Sequence, residues 1–316
     1  MAFASSKTPP ALIMGRWIEQ KERGAQWTMH FMVWLCRGRS RWVADALLYP
    51  ITLYFFITAG KNRAASRHFF ERSTGRYTPL DHYRQLLCFA RSLLDRVAIL
   101  SGAAGEFTVV PHGREQLHAL RGHTRGGILL GSHLGSFEAA RILLKDRTDT
   151  DIHIVAYFAR SEKIRRALDA INPELALNVI DPSAPDAIFR MRDVIENGGI
   201  LAILGDRTGI GEKRLPVDFL GDPTELPAGP YFLASILGCP VYCFFGVRVG
   251  TRRYESHLFK LADQIQLQRG QRDVQAREYA QAYADRLAEM ARRHPYNWFN
   301  FFEFWPERKT ETENSS

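Results

Sequence analysis

A chain of 316 residues, 46% hydrophobic and 24% charged, has ample length for one large α/β domain with an amino-terminal appendage, and it contains no repeat or low-complexity segment. A net charge of +8 favours anionic partners such as a membrane surface or an acidic carrier protein, whereas nucleic acid is disfavoured because zinc-finger spacing, an RNP-like stretch and a basic heptad region are all missing. Cys36, Cys88, Cys239 and Cys243 sit among apolar residues, the pattern of small core side chains in a reducing compartment, and the Cys239/Cys243 spacing has no second pair with which to hold a metal.

In chain order, no cleavable signal is expected, because the first apolar stretch comes late and lacks a small-residue cleavage site. Residues 27–36 (WTMHFMVWLC) are apolar and aromatic, Arg37, Arg39 and Arg41 form a basic knot, and residues 42–59 (WVADALLYPITLYFFITA) form a second apolar run. As a helix the second run measures about 27 Å, the lower limit for crossing a bilayer. Asp45 and Pro50 within it favour a kinked helix in the interface or a shallow re-entrant hairpin. Arginines and lysines on both flanks (Arg16, Lys21, Arg23; Lys61, Arg63, Arg67) lack the one-sided bias of a single span. The competing reading is a buried helical pair of the main domain.

Helical spacing over residues 83–104 predicts a long linking helix. Strands are expected at 107–110, around Ile128, at 152–157, 177–180, 200–204 and 241–249 and near Phe259. Helices are expected near Gln116, after His133, and at 162–171, 186–197, 227–237 and 273–293. Such alternation predicts a three-layer α/β sandwich around a central, mostly parallel sheet, carrying amino-terminal membrane-associated helices. The expected divisions are 1–75 for the membrane-associated helical segment, 76–308 for the α/β domain and 309–316 for a frayed tail.

The chemistry concentrates in residues 131–138, GSHLGSFE, which follow the apolar run GGILLG. His133 is expected in the strand-to-helix turn at the carboxyl edge of the sheet, where open α/β folds collect ligands. Glu138, about one turn into the following helix, is close enough to fix the imidazole tautomer and leave the other nitrogen as a base. Ser132 and Ser136 flank His133, but no GxSxG elbow is present, so a serine nucleophile is not expected. Asp206 follows the strand at 200–204 and reads either as a pocket residue or as a turn-forming Asp. Arg160 and Arg207 are candidates for charge-assisted bonds to a substrate, with Arg165 and Arg166 as alternatives to Arg160.

These motifs resemble those of the lysophospholipid acyltransferase superfamily, and within it the late acyltransferases of bacterial lipid A biosynthesis. His133 and Glu138 fit the superfamily's HX4(D/E) pattern. Asp206, Phe219, Gly221, Gly229, Pro230 and Pro240 fall on its middle block, and His294, Pro295 and Trp298 on its terminal HPxxW signature. The chain departs from the lipid A enzymes at Asp206–Arg207–Thr208, where Asp-x-Asp is usual, and in the aromatic tail FNFFEFW, which looks like the subgroup found with aryl-polyene gene clusters. The resemblance implies an acyltransferase of the cytoplasmic face of a bacterial inner membrane, moving a fatty acyl chain from an acyl carrier protein or CoA thioester to a hydroxyl or amine of a membrane glycolipid or lipid-like acceptor. It implies His133 and Glu138 as catalytic, Asp206, Arg207, Arg160 and Ser136 as substrate-binding, backbone N–H groups as oxyanion donors, and no metal or redox cofactor. A CoA-dependent glycerophospholipid acyltransferase and a non-catalytic lipid-binding protein are the alternatives.

Overall fold

The computed structural model describes residues 41–122, 125–137, 151–156, 178–208 and 212–305. Expectations concerning residues 27–36, Arg37, Arg39, Glu138, the helix after His133, Arg160, the helix at 162–171 and the tail lie outside them.

Seven strands form the central sheet: β1 (Thr108–His112), β2 (Gly127–Gly131), β3 (Ile152–Val155), β4 (Val179–Ile180), β5 (Ile200–Leu204), β8 (Val241–Gly250) and β9 (Arg253–Ala262), in the order β1-β9-β8-β2-β5-β3-β4. The run β8-β2-β5-β3-β4 is parallel throughout; β9 is antiparallel to β8, and the edge strand β1 runs parallel to β9. All five residues of β2 are buried, as a continuous apolar strand with both faces covered must be. The mostly parallel sheet is as expected.

The hairpin of β6 (Arg214–Phe219) and β7 (Asp222–Pro227) was not anticipated and stands apart as a two-stranded ribbon. Phe219 stacks on Trp298 at 5.4 Å and on Trp305 at 5.7 Å, which ties the ribbon to the aromatic carboxyl-terminal segment. Pro227, expected to open a helix, instead ends β7; Pro230 supplies the first-turn proline of α6 (Gly229–Leu237), and Gly238 closes it in the left-handed region at φ 59.

Before the sheet come α1 (Arg41–Thr58), α2 (Gly60–Thr74) and α3 (Pro79–Ala98). The third begins four residues earlier than its apolar spacing predicts, because Thr78 and Asp81 form a reciprocal capping box with Pro79 in the first turn. Ala44, Leu48 and Thr52 of α1 are buried, the first two in a cluster with Leu87 and Leu94 of α3, while Trp42, Tyr49, Leu53, Tyr54, Phe55 and Ile57 are exposed. In α2, Phe69 and Phe70 lie in the main hydrophobic core, and Phe69 stacks on Trp298 at 5.0 Å, so this helix belongs to the packed domain. Among the described residues no single helix is long and apolar enough to cross a membrane; Trp42–Thr58 and Asn62–Thr74 meet that requirement only together, bent by 96°.

The other α-helices among the described residues are α4 (Arg114–Gly122), α5 (Ala187–Glu196) and α7 (Arg272–Arg293). Small side chains at Ala276, Ala280, Ala284, Ala288 and Ala291 are buried along α7. They let its backbone approach the sheet closely enough for the Tyr283 hydroxyl to donate to the Gly131 carbonyl at 2.8 Å.

Candidate active site

Strand register brings the two main site residues together. β2 and β5 are parallel neighbours with Gly131 opposite Leu204, so two residues further along each chain His133 and Asp206 emerge side by side. Gly205 continues the ladder by donating to the Gly131 carbonyl at 2.9 Å. This is the carboxyl edge of the parallel strands, the expected location for a ligand site.

Asp206 grips His133 twice. Its Oδ1 lies 2.9 Å from the imidazole Nδ1, and its Oδ2 accepts the His133 backbone N–H at 2.8 Å. Asn300 Nδ2 donates a further bond to Oδ2 at 2.8 Å, and Asn300 Oδ1 accepts from Arg207 Nε at 2.7 Å. The Asp206 side chain is fully buried, while His133 keeps 26% exposure. Burial alone would raise the Asp206 carboxyl, but the His133 charge and hydrogen bond, Arg207 and Asn300 outweigh it and hold the group down at about 2. Burial, helped by Arg207 and Arg96, holds His133 below its ordinary value against the pull of Asp206. Arg207 is lowered to about 10 by burial, with Asp206 opposing. The site at neutral pH is an ionised carboxylate beneath a neutral imidazole whose Nδ1–H points at it, which leaves Nε2 as an acceptor.

The sequence places the orienting carboxylate at Glu138 and has Asp206 face the substrate. The geometry puts Asp206 at Nδ1, because strand register sets it directly beneath the ring. Glu138 and Arg160 fall outside the described residues. Ser136 is buried and lines the cleft.

The loop backbone is held as firmly as the ring. The N–H groups of His133, Leu134, Gly135 and Ser136 donate respectively to Asp206 Oδ2, Ser132 Oγ and the carbonyls of Asn297 and Gly246. All four are engaged within the protein. Gly135 is required here: its φ is +79, and a Cβ would stand 2.1 Å from the Gly246 oxygen. The carboxyl-terminal segment locks the loop from the other side, since Phe299 N–H donates to the His133 carbonyl at 2.9 Å and Leu134 bridges to Trp298.

Over His133 opens a cleft of about 390 Å³. Phe89 and Leu93 of α3 form one wall, Phe299, Phe301 and Phe302 another, and Ile154, Ala202 and Leu204 the floor. Polar groups are few: Ser92 and Arg96 from α3, Ser132, His133 and Ser136 from the loop, and Arg207. An apolar cleft with a small polar focus suits a ligand that is mostly hydrocarbon. Sequence reasoning missed Arg96 and Asn300. Arg96 lies within a helix whose periodicity was plain but whose facing partner was not, and Asn300 stands in the aromatic tail with no spacing that ties it to Asp206.

Residues 97–306 match the family described as bacterial lipid A biosynthesis acyltransferase. Two curated proteins, the phosphatidylinositol mannoside acyltransferases of Mycobacterium tuberculosis strains ATCC 25618 / H37Rv and CDC 1551 / Oshkosh, are 26% identical to the chain over 193 residues. That stretch covers 59% of this chain and 56% of each relative, so the chain spans little more than half the length of the relatives it matches. With the family match covering the central sheet, the histidine loop and the terminal HPxxW segment, the chain belongs to the bacterial lipid A biosynthesis acyltransferase family.

Proposed function

We propose that this protein transfers a fatty acyl chain from a carrier thioester to a hydroxyl or amine of a membrane glycolipid or lipid-like acceptor. The observation that carries the reading is the His133–Asp206 pair, oriented and half-enclosed beneath an apolar cleft. His133 Nε2 accepts the acceptor proton as its oxygen or nitrogen attacks the thioester carbonyl, and buried Asp206 stabilises the imidazolium that forms. The tetrahedral intermediate carries its negative charge on the former carbonyl oxygen. Backbone N–H groups together with Arg207, Arg96 and Ser136, which line the cleft, would meet that charge. Collapse expels the thiolate, which takes the proton back from His133.

The acidic thioester carrier and the anionic bilayer suit a chain of net charge +8. The outward face of α1 supplies the apolar contact: Trp42, Tyr49, Tyr54 and Phe55 have the amphipathic and aromatic character of an interfacial helix, while α2 turns back into the packed domain. Such docking would deliver a lipid acceptor to the cleft without passage through bulk water.

The direct test is thiol release from acyl carrier protein and CoA thioesters by purified full-length protein, with membrane lipids as acceptors and the acylated product identified by mass. Acceptor-dependent release that drops at least about a hundredfold in His133→Ala supports the reading. A folded His133→Ala protein with parental turnover, or parent protein that binds lipid but releases no thiol, would overturn it.

A further inference from the structure

Away from the cleft, three side chains from the two outer strands converge on one face of the sheet. β1 and β9 run parallel with His112 opposite His257, and Glu255 precedes His257 by two residues, so all three project from the same face. One donor atom from each can be chosen so that the three lie within 4.8 Å of one another. Glu255 Oε2 is 3.6 Å from Nε2 of His112 and 3.6 Å from Nε2 of His257. That distance is too long for a hydrogen bond to either ring. It is close to the separation of about 3.3–3.4 Å between two ligands of a tetrahedral ion with bonds of about 2.0–2.1 Å.

A second observation points the same way. His257 is 3% exposed, and its Nε2 is buried without a hydrogen-bond partner. His294, the histidine of the HPxxW signature, has the same unmet Nε2, and its ring centroid lies 5.8 Å from that of His257. Two buried imidazole nitrogens without partners, beside a carboxylate bonded to neither ring, form a donor set that protein contacts do not satisfy. Arg293, next to His294, is drawn toward Glu289 at 3.6 Å.

We infer that His112, Glu255 and His257 form a binding site for a borderline divalent transition metal ion of the zinc class, with His294 the nearest further donor. Two imidazoles and a carboxylate select such an ion over magnesium or calcium, which prefer all-oxygen shells. The His112 and His257 rings are stacked at 4.5 Å and 7°, and an ion must lie in the plane of each ring it binds. His112, whose side chain is 49% exposed, is therefore the ligand that turns, while Glu255 and buried His257 stay in place. None of the three lines the catalytic cleft. The ion would cross-link β1, an edge strand whose one neighbour in the sheet is β9, and brace the sheet beside the turn that begins at His294.

The test is a cobalt titration of untagged, full-length protein stripped of metal by chelator and dialysed, read by visible d–d absorption and competed with zinc. One saturable equivalent is expected, with affinity reduced at least tenfold in both His112→Ala and Glu255→Gln. Thioester transfer should stay within twofold of the parent in both variants. Zinc should raise the melting temperature of the parent and of neither variant. Failure to saturate near one equivalent, or equal binding by the parent and both variants, would overturn the assignment.

Discussion

Asp206→Asn is the sharpest probe of the site, because the hydrogen bonds around Asp206 dictate which way the new amide must turn. Oδ2 of Asp206 receives two donors, the His133 backbone N–H and the Asn300 amide, whereas Oδ1 faces Nδ1 of the ring. An asparagine satisfies the two donors with its oxygen only by presenting its NH2 group to Nδ1. The ring must then accept at Nδ1 and carry its proton on Nε2, the nitrogen that has to act as the base. The charge that stabilises the imidazolium is lost as well. For charge centres about 4 Å apart at an effective dielectric constant near 20, that interaction is about 4 kcal/mol, equivalent to roughly a thousandfold in rate. Turnover of Asp206→Asn should therefore fall by about a thousandfold with native circular dichroism, and nitrogen NMR of the imidazole should show the proton moved to Nε2. A folded variant that keeps more than a tenth of parental turnover, or an unchanged tautomer, would refute this argument. Glu138→Gln measured alongside it shows which carboxylate orients the base: if Asp206 does, that variant retains far more activity.

The remaining expectations are more direct. Because His133 must be neutral to act and its pKa lies below the ordinary 6.5, kcat/KM should fall on the acid side with a midpoint below pH 6.5; a midpoint above pH 7 would contradict the burial argument. Asp206, lowered from 3.8 to about 2, contributes about 2 kcal/mol of stability that is complete above pH 3.8 and lost as pH falls through 2, and acid unfolding of Asp206→Asn should lack that component. Gly135→Ala places a Cβ against the Gly246 oxygen at a positive φ, so it should destabilise the fold by more than about 2 kcal/mol and lower turnover at least tenfold; parental melting and turnover would show that the loop is not fixed there. Replacing exposed Phe55 and Ile57 together by Glu should reduce co-sedimentation with anionic vesicles at least tenfold while leaving the melting temperature in place, and unchanged sedimentation would remove α1 from the membrane contact.

The centre of the sheet was readable because β2 and β5 are short, apolar and preceded by glycine; the strand expected at 200–204 matches β5, and the long helix ending at Arg293 was one residue short at its start. The β6–β7 ribbon escaped because Pro216 and Pro223 lie within its alternating pattern, and proline argues against a central strand; a two-stranded ribbon has open edges where a missing N–H is tolerated. α2 escaped because its sequence is polar and opens with glycine and no side-chain cap; burial of Phe69 and Phe70 holds it instead. In the site, spacing located His133 but did not tie Asp206 to its ring. Five residues of separation are visible in a sequence, whereas the adjacency of β2 and β5, which brings together residues 73 positions apart, depends on strand order.

Asn300 adds a temporal consequence to the way the histidine loop is locked. His133 and Asp206 are 73 positions apart and Asp206 and Asn300 a further 94, so the base meets its last support only after another 167 residues have been made. At about 5–20 residues per second, synthesis leaves the strand bearing His133 waiting on the order of ten seconds or more for that partner. During that interval the imidazole is not roofed by Phe299 and its neighbours, and the Asp206 carboxylate lacks the Asn300 amide. The histidine loop is therefore complete only once the carboxyl-terminal aromatics dock against it.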